Sequence, residues 1–209
     1  SILDQYSKYK WNVRFLSDGI LPCSQVKFHI GYDENSNRIT IPHFDIDGNL
    51  IGLMGRIDSD EPTNYKYLPL IAFEKHKYLY GLYQNKEYIK KSKEIYIFES
   101  EKAVLQCDSF KVNNTVALGG NTLSEIQVEQ LLKLGVNKFI IALDEGLDIE
   151  IIKKNIKTIK SCLFMKDNIK IGVILDKENK YMGKGSKVSP SDQGKEIFKK
   201  LCNECMIGG

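Results

Sequence analysis

Long hydrophobic runs and arginine are both scarce in this sequence. No apolar stretch approaches the roughly 20 residues that a membrane-spanning helix needs, so we expect no membrane contact. The 30 basic residues include only three arginines, Arg14, Arg38 and Arg56. Each guanidinium offers a planar fork of donors that lysine lacks, so these positions are candidates for specific contacts. The net charge of +3 permits a local basic patch but does not by itself indicate nucleic-acid binding.

The sequence also lacks the cysteine pattern of a secreted, disulfide-bonded domain. Five cysteines are an odd number and no signal peptide precedes them, so we expect free thiols and a cytoplasmic location. Cys202 and Cys205 form an isolated CxxC without a second pair or a nearby histidine, which favours free thiols over a zinc or redox site. His29, His43 and His76 have no partners at the spacing of a metal site or a catalytic triad, and no role is predicted for them.

What the sequence does contain is a change of pattern near residue 94. Before it, residues 39–44 and 50–54 predict two strands of a hairpin, joined by the turn sequence Asp47-Gly48-Asn49, and residues 77–91 predict a helix. After it, strands and helices alternate. The predicted strands are 94–98, 113–118, 138–143 and 169–175, and the predicted helices are 101–107, 122–134, 149–163 and 194–205.

This alternation predicts parallel βαβ units with helices covering the sheet. We therefore expect an α/β chain that begins with a smaller mixed subdomain, residues 1–91. A parallel-sheet domain follows over 92–181, and a flexible loop with a C-terminal helix occupies 182–209. Thr122 and Glu125 have the spacing of a capping box for the helix that follows the second strand.

Three of the four predicted parallel strands end at an acid: Glu99, Asp144 and Asp176. Because the carboxyl ends of parallel strands lie on one edge of a sheet, these acids should lie close together. Each could instead begin the next helix, where an acid suits the helix dipole. Three on one edge favour a shared metal ion, and oxygen ligands without histidine or cysteine favour Mg²⁺ or Mn²⁺. Asp148 is preferred to Glu145 as a further ligand, although it could equally cap the following helix.

The segments IYIFESEKAVLQ, VALGGNTLS and IIALDEGLD resemble the Toprim domain of DnaG-type primases, topoisomerases and some nucleases. That domain has a Glu ending its first strand and an Asp-x-Asp ending a later one, which Glu99 and Asp144 match. Gly146 stands where the second Asp of the pattern would be. The upstream segments NRITIPHFDIDGNLIGLMGR and KYLPLIAFEKHKYLYGLYQNKE resemble the part that precedes Toprim in bacterial and phage DnaG-type primases. The resemblance covers about residues 30–148.

The resemblance implies a primase catalytic core, an RNA polymerase domain that makes short RNA primers from ribonucleoside triphosphates on single-stranded DNA with Mg²⁺ or Mn²⁺. It implies catalytic roles for Glu99, Asp144 and Asp148, with Asp176 as a further metal ligand. The positions that match the basic residues of the family, which would hold template and nucleotide, are Arg38, Arg56, Lys66 and Lys75. Contact with a replicative helicase would use parts that this sequence does not contain.

Two alternatives remain open at this point. A Toprim nuclease or related phosphotransfer enzyme would use the same acids. A nucleic-acid-binding module without activity is favoured by Gly146, because that position supplies no carboxylate.

Overall fold

The structure is a computed structural model that describes residues 2–6, 11–59, 61, 64–162 and 168–208. The helical elements up to residue 92 are a 3₁₀ turn (Ile2–Gln5), α1 (Val13–Ser17), α2 (Pro22–Lys27), a second 3₁₀ turn (Lys75–Lys77) and α3 (Leu82–Ser92). The strands of this part are β1 (Gly31–Asp33), β2 (Arg38–Phe44), β3 (Leu50–Ile57) and β4 (Tyr67–Ile71). The later strands are β5 (Glu94–Phe98), β6 (Thr115–Ala117), β7 (Lys138–Ile141), β8 (Lys170–Ile174) and β9 (Met206–Gly208). The later helices are α4 (Glu101–Ser109), α5 (Glu125–Lys133), α6 (Ile149–Ser161) and α7 (Lys195–Glu204).

The first sheet is antiparallel, in the order β1-β2-β3-β4, and it contains the predicted hairpin. Its turn forms because the Asp45 carboxylate accepts the backbone N–H groups of Asp47 and Asn49, while Gly48 takes a φ of 92°. At Gly52 a Cβ atom would lie 2.0 Å from Cδ1 of Phe73. Only glycine lets this ring pack so closely on β3.

The second sheet has the order β6-β5-β7-β8-β9, and its first four strands are parallel as predicted. The α/β prediction is confirmed. The short strand β9 pairs antiparallel with β8, which the sequence pattern did not indicate. Helix α7 packs beside it: Phe198 and Leu201 are buried, and the Phe198 ring lies 5.7 Å from that of Tyr96. The chain after residue 181 therefore adds to the same sheet.

Two helix starts differ from the sequence prediction. Helix α3 begins at Leu82 rather than near residue 77, because Tyr80 first exchanges two backbone hydrogen bonds with Ala117 and Gly81 then turns the chain with a φ of 83°. The capping box of α5 is formed by Ser124 and Gln127, not by Thr122 and Glu125. Ser124 was the better cap because its hydroxyl reaches the N–H of Gln127, whose side chain bonds back to the backbone of Ser124.

One hydrophobic core joins the two sheets. Ile39, Ile41 and Met54 of the antiparallel sheet belong to the same buried cluster as Phe98 and Ile140 of the parallel sheet. A second cluster fills the other face of the parallel sheet, under α3, α5 and α6. In the ranges that the structure describes, no helix combines the length and the apolar character needed to cross a bilayer.

Candidate active site at the carboxyl edge of the parallel sheet

Asp144 is the central acid at the carboxyl edge of the parallel sheet. It follows β7, and one of its oxygens, Oδ1, is buried without a hydrogen-bond partner among the described residues. Burial, followed by the negative charges of Glu99 and Asp192, raises the pKa of Asp144 to about 6, although Lys102 and Ser189 act in the opposite direction. Burial also raises the pKa of Glu99. The fold thus brings Glu99 and Asp144 together, as the sequence predicted, at a site where negative charge is poorly neutralised.

Asp192 is the third acid of this group, and it comes from the turn before α7. Its carboxylate contacts the Lys102 ammonium at 2.5 Å, accepts the backbone N–H of Ser189 at 2.9 Å and accepts Gln106 Nε2 at 3.1 Å. Burial alone would raise the pKa of Asp192, but the Lys102 ammonium and these hydrogen bonds lower it below its usual value. Asp192 therefore remains ionised and adds its charge to the field at Asp144.

The carboxylates of the other two predicted metal ligands, Asp148 and Asp176, accept hydrogen bonds from nearby backbone N–H groups. Asp148 is exposed and caps α6, its carboxylate accepting the N–H of Glu150 at 2.9 Å. The Asp176 carboxylate accepts backbone N–H groups from Lys180, Tyr181 and Met182 at 3.0, 2.7 and 2.8 Å. Burial opposes ionisation of Asp176, but these three bonds lower its pKa. Among the described residues no group of three or more His, Cys, Asp and Glu side chains is placed to surround a metal ion.

Glu99 and Asp144 nevertheless fit Mg²⁺. This ion commonly takes one or two protein carboxylates and completes its shell with water and substrate phosphates. The free, buried Oδ1 of Asp144 is the observation that supports the fit, since a buried carboxylate oxygen without a donor is costly. A cation would remove that cost and relieve the repulsion from Glu99. Two carboxylates would leave the other positions around the ion for water and substrate phosphates.

Two of the predicted basic residues, Arg38 and Arg56, contact other residues of the N-terminal part. The buried guanidinium of Arg38 donates to the carbonyl oxygens of Gly55, Tyr65 and Lys66 at 3.1, 3.0 and 3.4 Å. These bonds tie β2 to β3 and to the segment before β4.

Arg56 is also buried. Its Nη1 lies 2.7 Å from the Asp18 carboxylate, and its guanidinium lies over the ring of Phe15 at 5.4 Å. A guanidinium in an apolar strand is costly unless it is paired, and Asp18 supplies the partner of Arg56.

Lys66 and Lys75 differ from the arginines in position. The Lys66 side chain is exposed beside β4. Lys75 reaches the parallel sheet, because a Cβ atom on Gly119 would lie 3.4 Å from its Cδ and 3.8 Å from its Nζ. Gly119 follows β6 at the edge of the parallel sheet where the acids also lie. Lys75, which comes from the N-terminal part, therefore places a positive charge at that edge.

No family model matches the chain. It is 32% identical over 224 residues to the SPbeta prophage-derived uncharacterized protein YorJ of Bacillus subtilis, covering 96% of this chain and 58% of that protein. It is also 32% identical over 112 residues to the DNA primase of Chlamydia muridarum, covering 52% of this chain and 19% of that enzyme.

The similarity to solved structures extends over the whole chain. The crystal structure of the Aquifex aeolicus primase, with its zinc-binding and RNA polymerase domains, matches with a TM-score of 0.79 and 23% identity, over 100% of this chain and 60% of that one. A DnaG primase catalytic domain bound to single-stranded DNA matches with a TM-score of 0.74 and 19% identity, over 98% of this chain and 76% of that one. The chain has the fold of a DnaG-type primase catalytic core.

This primase-core fold explains why the segments upstream of the Toprim-like part also resemble DnaG-type primases. The matches include the antiparallel sheet of this chain as well as its parallel sheet, because they cover 100% and 98% of it. The chain spans about a fifth of the bacterial DNA primase and somewhat more than half of the prophage protein.

Sequence reasoning missed one buried pair in the primase-core fold. His43 Nε2 of β2 lies 3.2 Å from Glu101 Oε1 of α4, although the two atoms do not meet hydrogen-bond geometry. The His43 ring also packs on Phe73 and Tyr80, at 4.5 and 4.9 Å between centroids. The pair joins the hairpin to the helix that starts just after Glu99. No spacing rule could have found it, because the partners are 58 positions apart and meet only through packing between the sheets.

Proposed function

We propose that this chain is the catalytic core of a DNA primase, which makes short RNA primers on single-stranded DNA from ribonucleoside triphosphates. The observation that carries the proposal is the buried Asp144 oxygen near Glu99, at the carboxyl edge of the parallel sheet, which has no hydrogen-bond partner in the described parts of the chain. In a primase-core fold this is a position where a metal ion and a triphosphate can meet. The similarity to a DnaG domain bound to single-stranded DNA supports the choice of template.

In this proposal Glu99 and Asp144 hold Mg²⁺ or Mn²⁺. The ion would neutralise charge on the transferring phosphate and orient it toward the primer hydroxyl. Asp192 strengthens the negative field, and Lys102 keeps Asp192 in place through their 2.5 Å contact. Asp148 and Asp176 shape the two loops beside the site by capping α6 and closing the turn after β8.

The basic residues divide into two groups. Lys75, at the sheet edge near Gly119, and the exposed Lys66 are proposed to contact nucleotide or template phosphates. Arg38 and Arg56 are proposed to position that surface from inside, through the carbonyl bonds of Arg38 and the Asp18 pair of Arg56. We place the activity in the cytoplasm, and contact with a replicative helicase would be made by parts of a longer protein.

The test is to incubate the chain with single-stranded DNA, labelled ribonucleoside triphosphates and Mg²⁺. Template-dependent RNA products are expected from the parent chain and none from Asp144→Asn. Cleaved DNA instead of RNA would identify a Toprim nuclease.

Retention of DNA without either product would identify a binding module. One observation favours the binding module: Gly146 supplies no carboxylate, and its φ of +82° is one that residues with a side chain adopt uncommonly.

A further inference from the structure

The loop between β8 and α7 holds an internal anion. The Glu145 carboxylate accepts the backbone N–H of Gly185 through Oε1 at 3.0 Å and that of Lys187 through Oε2 at 3.1 Å. The N–H of Glu145 in turn donates to the carbonyl of Val188 at 2.9 Å. The Glu145 carboxylate thus accepts hydrogen bonds from two backbone N–H groups of one exposed loop.

The loop has the backbone shape of an anion-binding nest. Gly183, Gly185 and Lys187 take φ values of 73°, 72° and 53°, alternating along the segment. Such alternation turns successive N–H groups toward one point, where they bind anions. Lys187 is not a glycine, so its positive φ is a strained backbone conformation, which the hydrogen bond to Glu145 helps to stabilise.

The charge around the nest suits an anion with more charge than one carboxylate. Lys184 and Lys187 are exposed beside it, and neither forms an ion pair in the part of the chain that the structure describes. The nest presents two backbone N–H donors, those of Gly185 and Lys187, to one carboxylate, and donors arranged in this way favour negative charge. Glu145 is half-buried, whereas its partners Gly185 and Lys187 are exposed, so an incoming anion has access to the nest.

The nest adjoins the acids of the primase-like site. Glu145 follows Asp144 directly, and both line one cavity of about 110 Å³ together with Met182, which precedes the nest residues in the chain. An anion in the nest would therefore lie beside the place where the proposed metal and triphosphate meet.

We propose that the Gly185–Lys187 nest is a phosphate-binding subsite for the nucleotide, and that Glu145 occupies it in the free protein. Binding of a phosphate group displaces the carboxylate, which makes Glu145 a competitor tethered within the site. The inference rests on the proposed function for the identity of the ligand, a nucleoside triphosphate. The exchange involves no covalent step.

The experiment uses inorganic pyrophosphate as the probe, with EDTA present and ionic strength fixed. Amide resonances of the ¹⁵N-labelled protein are followed by NMR during titration. We expect the Gly185 and Lys187 resonances to shift, and Glu145→Gln to bind pyrophosphate about tenfold more tightly than the parent chain, because the neutral amide competes less well. Circular dichroism verifies that the variant is folded.

Glu178→Gln is the matched control, since it removes one negative charge from an exposed position in the same connection. It should change pyrophosphate affinity by less than twofold. Equal gains in both variants, or shifts that avoid Gly185 and Lys187, would overturn the subsite and leave Glu145 as a loop anchor only. Mn²⁺ binding at Asp144 is measured in parallel. If the protein binds Mn²⁺ but not pyrophosphate, the phosphate subsite is disproved and the proposed function is not. If it binds pyrophosphate but not Mn²⁺, the proposed function is disproved instead.

Discussion

At the scale of single residues, Asp144 shows how packing raises the pKa of an ordinary strand-ending acid. Its Oδ1 is buried and receives no hydrogen bond from any residue that the structure describes, and burial together with the charges of Glu99 and Asp192 opposes its ionisation. Lys102 offsets only part of this effect, because its ammonium lies against Asp192. The site is therefore short of positive charge, which is the condition that a bound cation would relieve.

A pH prediction follows for the protein without metal. The pKa of Asp144 is raised from 3.8 to about 6, so the folded state binds this proton more readily than the unfolded state does. The penalty for ionising Asp144 is fully present above pH 6 and disappears as the pH falls toward 4. We expect Asp144→Asn to be more stable than the parent by about 1–2 kcal/mol at pH 7, after allowance for solvent screening.

Urea unfolding in EDTA at pH 7 and pH 4 measures this difference. The stability gain of Asp144→Asn should shrink toward zero at the lower pH. A gain that is independent of pH would show that Asp144 ionises without cost.

Arg38 gives a second residue-scale prediction. Its guanidinium serves three carbonyl oxygens, those of Gly55, Tyr65 and Lys66, and a lysine ammonium cannot span them. Arg38→Lys should lower the free energy of unfolding by about 1–3 kcal/mol, because buried carbonyls lose their donor. The control is Arg14→Lys, at a more exposed ion pair with Asp58, which should cost less than about 1 kcal/mol. A larger loss in the control would contradict the role given to Arg38.

The sequence predicted which acids end the strands, but it did not show which of these carboxylates remain available to bind a metal ion. Glu99 and Asp144 could be grouped because strand ends share an edge. The tasks of Asp148 and Asp176 depend on which backbone N–H groups turn toward them, and loop conformation of that kind leaves no spacing signal. The Lys102–Asp192 contact likewise joins residues that only the fold brings together.

At the scale of elements, the C-terminal helix and strand complete the parallel sheet. Phe198 of α7 is buried, and its ring lies 5.7 Å from Tyr96 and 6.0 Å from Phe98 of β5. Strand β9 then pairs with β8 at the sheet edge. The alternation of strand and helix segments predicted the four parallel strands, but the three residues of β9, which end in glycine, are too short a segment to show any period.

This packing yields a prediction for α7. Phe198→Ala should lower the free energy of unfolding by about 3–5 kcal/mol, because it leaves a cavity between the helix and β5. Lys199→Ala, one position further along the same helix and exposed, should change it by less than about 0.5 kcal/mol. Denaturant unfolding of both variants provides the measurement. Similar small effects would show that α7 is not part of the sheet's core.

At the scale of the whole molecule, the antiparallel sheet and the parallel sheet form one body around a common core. The buried His43–Glu101 contact and the reach of Lys75 to Gly119 cross from one sheet to the other. This arrangement places a lysine from the first part opposite acids from the second. The division into two parts could be predicted from the change of pattern near residue 94, whereas the contacts across it could not, because they depend on how the sheets pack.

The central claim is that Glu99 and Asp144 bind a divalent cation, and the most direct measurement is Mn²⁺ binding, followed through the electron paramagnetic resonance signal of free Mn²⁺. We predict a saturable site in the parent chain whose affinity falls at least tenfold in both Asp144→Asn and Glu99→Gln. Asp148→Asn, which changes an acid that caps α6, should bind Mn²⁺ within twofold of the parent. Unchanged binding in Asp144→Asn, or an equal loss in Asp148→Asn, would contradict the account.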